Sequence, residues 1–330
     1  MIPGGRRGGR RRMPATHPLR VGTRASALAR TQTGWVVDRL RAQGVDVVVE
    51  TITTRGDDRS DLPIAKIGGD GVFVRELEQA LRDGRIDVAV HSLKDLPTAE
   101  SPGLVLACVP ERATPFDALV GRTAPRLDEL PSGAVVGTSS IRRVVQLKAA
   151  RPDLQAVPLR GNVDTRLRKL DAGEYDAVIL AAAGLERLGL ADRITQLMQP
   201  PEFWPAVAQG ALGIQVRADD VRTLAAVAPL DHATTHAAVI AERRMLENLA
   251  GGCLAPIGGW ARLSAAGGLM LGGCVLEMDQ PTEAVRRIVA EETVALRDQT
   301  EPAALGEAVA ARLRAAGAEA MLQRMRTRLA

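Results

Sequence analysis

At 330 residues the chain is long for a single domain and suits two or three. Hydrophobic residues make up 46% and charged residues 25%, which excludes a wholly disordered chain, and seven aromatics leave a base-stacking nucleic-acid platform poorly supplied. The net charge of +4 rests on five arginines among the first twelve residues; taking those five away leaves −1, so the remainder is near neutral and nucleic-acid binding loses its main support.

Residues 1–18 read as an Arg/Gly-rich tail that is predicted disordered, or as a misplaced start with Met13 the true one. No apolar stretch follows its arginines, so neither a secretory nor a twin-arginine leader is read. LRVGTR (19–24) reads as a strand, 26–43 as an amphipathic helix ending at Gly44, and 45–54 as a β-branched strand. The long polar stretch from Arg55 to Gly71 has the length of a functional lid or a disordered loop. A helix from Phe73 to Arg82 and a strand over 86–92 follow. Next come strands at 117–120 and 134–140, a helix at 141–150, a strand at 154–159, a helix at 163–173 and a strand at 175–183. The chain turns near Pro200–Pro205, and 211–217 adds a strand. From Asp231 the character changes to a helix (233–249), a Gly-rich loop, strands at 257–264 and 269–277, and one long helix (302–326). Strand–helix alternation predicts parallel α/β sheets covered on both faces, followed by a small α+β domain.

The basic residues are 39 arginines and only four lysines. Lys66 (IAKIGGDG) and Lys94 (HSLKDLP) sit in unusual loops, whereas Lys148 and Lys169 fall on helix surfaces and read as solvated charges. Open α/β sheets bind ligands at strand carboxyl ends. Ser92, Lys94 and Asp95 follow one strand; Thr138, Ser139 and Ser140 follow another and open a helix, where free backbone N–H groups can hold an anion. Arg142 and Arg143 lie in that helix's first turn, where positive charge opposes the helix dipole unless an anion is present. With Arg160 and Arg166 they predict a polyanion pocket, the alternative being arginines that only decorate the surface.

GxGxxG, P-loop and GxSxG patterns are absent, which removes the common dinucleotide, nucleoside-triphosphate and esterase readings. Three cysteines without CxxC spacing and four scattered histidines predict no metal site and no disulfide framework. Cys108 and Cys274 lie in strand-like runs and read as inert core thiols. Cys253, in LAGGCLAPIGG, is displayed on a loop, where it could be a nucleophile or a covalent anchor. No uncharged run reaches 18 residues, and the chain reads as soluble and cytoplasmic.

Several long motifs in order carry a specific resemblance: VGTRASALA (21–29), TTRGD (53–57), IAKIGGDGVFVRELE (64–78), DVAVHSLKDLPT (87–98), VGTSSIRR (136–143), LRGNVDTRLRKLD (159–171), AVAQGALGI (206–214) and GGCLAPIGG (251–259). From Leu19 to the last helix the sequence resembles the porphobilinogen deaminase (hydroxymethylbilane synthase) family. The resemblance implies an α/β fold of two periplasmic-binding-protein type II-like domains plus a small α+β C-terminal domain. The implied limits are 19–112 with 207–228, then 113–206, then 229–330.

It also implies a transferase with a covalent dipyrromethane cofactor, held through a thioether to Cys253. Such an enzyme joins four porphobilinogens head to tail, releasing ammonia each time, and water then frees hydroxymethylbilane. On the family pattern Arg24, Ser26, Lys94, Ser140, Arg142, Arg143, Arg160 and Arg166 hold carboxylates, with Arg187 and Gln209 nearby, and Asp95 is the catalytic carboxylate. The segment of Arg55, Gly56, Asp57, Gly68, Gly69 and Asp70, with Phe73 at its end, is the implied lid. Asp70 stands where many relatives carry a second lysine, so no positive charge is expected at that lid position, while Lys66 remains. The implied partner is porphobilinogen alone, with no nucleic acid, membrane or metal, acting on a monomer. The rival readings are a small-anion binding protein or effector-sensing domain on the same scaffold, which needs no displayed thiol, and a Schiff-base enzyme using Lys94.

Overall fold

The computed structural model describes residues 17–53, 71, 74–249, 255–278, 285–296 and 301–329. In chain order the elements are β1 (Leu19–Thr23), α1 (Ala27–Ala42), β2 (Val47–Thr51), α2 (Arg75–Arg82), β3 (Val88–Ser92), a 3-10 turn (Leu93–Asp95), β4 (Leu104–Cys108) and β5 (Asp117–Gly121). There follow β6 (Val135–Gly137), α3 (Ile141–Ala150), β7 (Gln155–Val157), α4 (Val163–Asp171), β8 (Ala177–Ala181), α5 (Ala182–Arg187), β9 (Gln196–Met198), β10 (Leu212–Arg217) and α6 (Val221–Val227). The last part holds α7 (Ala233–Asn248), β11 (Ile257–Leu263), β12 (Leu269–Glu277), β13 (Arg286–Val294), α8 (Glu301–Ala315) and α9 (Ala318–Leu329).

Two five-stranded sheets repeat one plan, β2-β1-β3-β10-β4 and β7-β6-β8-β5-β9. In each, the first three strands run parallel and the fourth in the order is antiparallel to both neighbours. The expectation of purely parallel sheets is therefore corrected. The reason is strand exchange: β5 enters the second lobe directly from the first crossover (109–116), and β10 returns to the first lobe from the second (199–211). Central strands such as VAVHS and AVILA are buried nearly throughout, because helices and loops cover both faces of their sheets. Separate apolar clusters lie on the two faces of each sheet, for example Val36, Leu40 and Ile214 on one side of the first and Leu77, Leu81 and Ile86 on the other.

The third part is a three-stranded antiparallel sheet, β11-β12-β13, under α7 and α8. Its edge strand β13 (RRIVAEETV) is absent from the sequence reading, because its polar–apolar alternation is broken: Val289 lies on the exposed side and Glu292 on the half-buried side. The single long C-terminal helix is two helices. Gly317 takes φ +100°, which ends α8 in a left-handed turn that few other residues adopt.

One buried carboxylate fastens this third part to both crossovers. Glu242 on α7 is fully buried and accepts hydrogen bonds from Arg112 Nη1 (2.5 Å) and Nη2 (3.1 Å) on the first crossover, Ala208 N (2.6 Å) on the second, and Ala261 N (2.8 Å) on β11. Arg112 Nε also donates to Gln209 O at 2.7 Å. Breaking a buried pair strands the other charge, so Glu242→Gln is expected to lower unfolding stability by about 3–5 kcal/mol. A loss below about 1 kcal/mol in urea denaturation would remove Glu242 from that fastening role.

Candidate active site

Both sheets present the carboxyl ends of their parallel strands, and the first residue of their exchanged strand, at the crossovers. In the first lobe Ser92 at the end of β3 pairs with Leu212 at the start of β10. In the second, Ala181 at the end of β8 pairs with Asp117 at the start of β5. Of the predicted site residues that are described, Arg24, Ser26, Lys94, Asp95, Thr138, Ser139, Ser140 and Arg160 follow the carboxyl ends of β1, β3, β6 and β7.

The 3-10 turn after β3 is held by its own first residue: Leu93 is fully buried and its N–H donates to Ala211 O at 3.0 Å. Ser92 Oγ exchanges hydrogen bonds with the Gln32 amide of α1 at 2.9 and 3.1 Å. Lys94 and Asp95 on the turn are half-buried. Lys94 Nζ donates to Gln209 Oε1 at 3.3 Å. Burial pulls its proton affinity down to about 8; the negative charges of Asp95 and Asp117 resist that fall, and the positive charges of Arg143 and Arg142 add to it. Arg24 lies near enough to His91 to disfavour that imidazole's charge, and Ser26 caps α1, accepting from Ala29 N at 3.3 Å.

His91, one strand position before Ser92, is buried and bonded to Gln215 Oε1 at 3.0 Å. Gln215 Nε2 donates to Glu78 Oε1 at 2.9 Å, so its oxygen faces His91 and the imidazole Nε2 carries the hydrogen. Burial holds the imidazole down to about 4. The unfolded chain therefore binds a proton at His91 between pH 6.5 and 4 where the fold does not. Stability from this neutral histidine is complete above about pH 6.5 and drains away as pH falls toward 4. Urea midpoints should drop across that window in the parent and less in His91→Asn; equal slopes would contradict the assignment.

In the second lobe, Arg142 and Arg143 are buried rather than decorating a surface. Arg142 Nη1 donates to Asp117 Oδ2 at 2.6 Å and to Trp204 O at 2.5 Å. Arg143 donates to Asp117 Oδ1 from Nη2 (2.7 Å) and Nε (3.0 Å), and to Ile179 O (2.9 Å). The anion that offsets two arginines in a helix's first turn is thus the protein's own Asp117, fully buried and held far below the usual carboxylate range: burial pushes it up, but the two guanidiniums outweigh that. Asp117 is a site residue that the sequence reading missed. Its trace in the sequence was a pair of adjacent arginines with no nearby acid, which calls for an anion but does not say which one.

Thr138, Ser139 and Ser140 follow β6 as expected, but the hydroxyls of Thr138 and Ser139 are engaged locally. Ser139 Oγ donates to Leu159 O and accepts from Leu159 N, and Thr138 Oγ1 accepts from Ser140 N. Arg166 Nε donates to Gly161 O at 2.7 Å; burial, together with the charges of Arg143 and Arg160, brings it down to about 10 against the pull of Asp95. Arg187 Nη2 donates to Gly210 O at 2.6 Å, and burial brings it down to about 10. Gln209 is buried, with Nε2 donating to Asp117 Oδ1 (3.0 Å) and Pro115 O (2.9 Å).

One electrostatic neighbourhood therefore holds five cations (Lys94, Arg142, Arg143, Arg160 and Arg166) against the carboxylates Asp95 and Asp117. That surplus, partly shielded from water, suits a ligand with several carboxylates or phosphates. Cys108 and Cys274 are buried and pushed up to about 12 by burial, as inert thiols would be. Lys148 is not simply solvated: its Nζ donates to Pro152 O and Leu154 O. Among the described residues no cluster of potential ligands could hold a metal ion, and no helix is long and apolar enough to cross a membrane. Arg55, Gly56, Asp57, Lys66, Gly68, Gly69, Asp70, Phe73 and Cys253 lie outside the described residues.

Residues 19–225 match the family model "Porphobilinogen deaminase, dipyromethane cofactor binding domain", and residues 236–315 match "Porphobilinogen deaminase, C-terminal domain". The chain is 50% identical over 308 residues to a porphobilinogen deaminase of Desulforudis audaxviator, covering 93% of this chain and 97% of that one. Identity to the Roseiflexus castenholzii porphobilinogen deaminase is 49% over 306 residues, covering 92% and 98%. A solved structure of the methionine binding protein MetQ is 16% identical, with a TM-score of 0.43, covering 64% of this chain and 89% of that one.

Proposed function

The chain belongs to the porphobilinogen deaminase family, and from that membership we propose how its residues perform the reaction. The enzyme is a hydroxymethylbilane synthase: it condenses four porphobilinogens head to tail, releases one ammonia at each joining, and frees the linear tetrapyrrole with water. The observation that carries the residue assignments is the surplus of buried and half-buried cations around Lys94 and Asp95 at the lobe junction. Every pyrrole of the substrate bears an acetate and a propionate, and the dipyrromethane cofactor bears the same groups, so the donor set fits the cofactor.

Dipyrromethane, when bound through Cys253, supplies the pyrrole carbon on which the chain starts. The side chains do the rest. Lys94, Arg160 and Arg166 take carboxylates directly; Arg24 and Arg187 extend the same lining. Arg142 and Arg143 set the positive field from behind, tied as they are to Asp117. Ser26, Ser92, Thr138, Ser139 and Ser140 shape the strand-end turns that carry these groups. Asp95 faces the pyrrole N–H groups and attracts the cation left when ammonia departs. The working unit is a cytoplasmic monomer of three domains, 19–112 with 207–228, 113–206 and 229–330, which needs neither nucleic acid nor a membrane.

The purified protein, given porphobilinogen alone, should release one ammonia per porphobilinogen consumed and one linear tetrapyrrole per four. Porphobilinogen bound but returned unchanged would instead make this an anion-binding member of the scaffold.

A further inference from the structure

We propose that Asp117 is a positioning residue of this reaction: its buried carboxylate orients Arg142, Arg143 and Gln209 together, and through the Gln209 amide it fixes the place and charge of the Lys94 ammonium. The proposal rests on reading Lys94 as a group that binds substrate carboxylate.

Geometry carries the argument. Asp117 is fully buried and Gln209 is 1% exposed, so each acts through the group it holds and not on a ligand. Gln209 Nε2 spends its hydrogens on Asp117 Oδ1 and Pro115 O, which leaves Oε1 turned to Lys94 Nζ at 3.3 Å. The backbone beneath that amide is pinned at three consecutive residues: Ala208 N to Glu242, Gln209 O to Arg112, and Gly210 O to Arg187. Ala208 itself holds φ +58°, a conformation that costs a non-glycine residue energy and persists only where its surroundings impose it. Gly210, at φ +87°, could not carry a side chain, since a Cβ would stand 2.6 Å from Ala113 O. The bridge from Asp117 to Lys94 therefore has one orientation and little slack.

Charge supplies the second half. The groups that face Lys94 are Asp95 on its own turn, Asp117 on β5, Arg142 and Arg143 on α3, and the neutral Gln209 amide on the second crossover. Two carboxylates keep the proton on Lys94 and two guanidiniums drive it off, with Asp117 also clamping both guanidiniums. Removing the Asp117 charge leaves three neighbouring cations answered by Asp95 alone.

Only four lysines occur in the chain, so lysine labelled at 13Cε gives a spectrum of at most four lysine signals. In the full-length purified protein, without substrate, the signal absent from Lys94→Arg should titrate near pH 8. Asp117→Asn should lower that midpoint by about 1 pH unit, and Asp117→Glu, which keeps the charge, should restore most of it. Arg143→Gln should shift it the other way, upward, and carries the test if Asp117→Asn fails to fold. A Lys94 midpoint unmoved in the folded variants overturns the proposal. An unchanged KM for porphobilinogen in Lys94→Met overturns the carboxylate-binding reading of Lys94 instead, and the two failures are thereby told apart.

Discussion

Asp95→Asn is expected to slow single turnovers of cofactor-loaded protein by about 10²–10³-fold, the usual loss when one preorganised charge is removed from a reacting centre. Loss of ammonia leaves a methylene-pyrrole cation, and the ring that attacks it passes through a second cationic state. A fixed carboxylate beside the pyrrole N–H groups attracts both states more strongly than the neutral substrate, and only such a difference accelerates chemistry. Lys94, one residue earlier, has the wrong sign for that task and suits a substrate carboxylate.

The surroundings of Asp95 support this division of labour. It sits on a turn anchored by the buried Leu93, and its negative charge reaches both Lys94 and Arg166. The groups that would hold carboxylates and the group that would face the ring nitrogens are therefore held in one frame. Asp95→Glu keeps the charge but displaces it, and should retain more activity than Asp95→Asn. Working from preassembled protein separates the chemical step from cofactor assembly. Asp95→Asn turning over at the parent rate would return Asp95 to the role of ion-pair neighbour of Lys94.

What the sequence made legible follows from how local each signal is. β3 and β8 were readable because a strand covered on both faces is hydrophobic at nearly every position. The α3 helix was readable to the residue, since Ser140 precedes it and Arg151-Pro152 closes it. The Lys94–Asp95 turn was readable because strand carboxyl ends are where such sheets place ligands. The strand exchange was not, since nothing local in DALV or LGIQVR says which sheet each joins. Nor were the buried anions. Asp117 meets Arg142 across 25 positions and Glu242 meets Arg112 across 130, and a single sequence holds no record of such pairs. For Arg142 and Arg143 the structure adds an anion inside the protein, Asp117, that the sequence reading did not name.

Cys253 carries the account's central claim, since a scaffold that only bound anions would need no thiol in the Gly-Gly-Cys loop. The other two cysteines are buried with thiols pushed up to about 12, which leaves them poor nucleophiles at neutral pH. A thioether to the cofactor adds a fixed mass that survives denaturation, whereas a bound but unattached pigment is lost. Intact mass of the denatured, purified protein is therefore the most direct measurement. The account predicts a mass above that of the sequence by two linked pyrrole units, with Cys253→Ser removing both the excess and all activity. A fully active protein whose mass equals that of its sequence, or a Cys253→Ser variant that still makes tetrapyrrole, would contradict it.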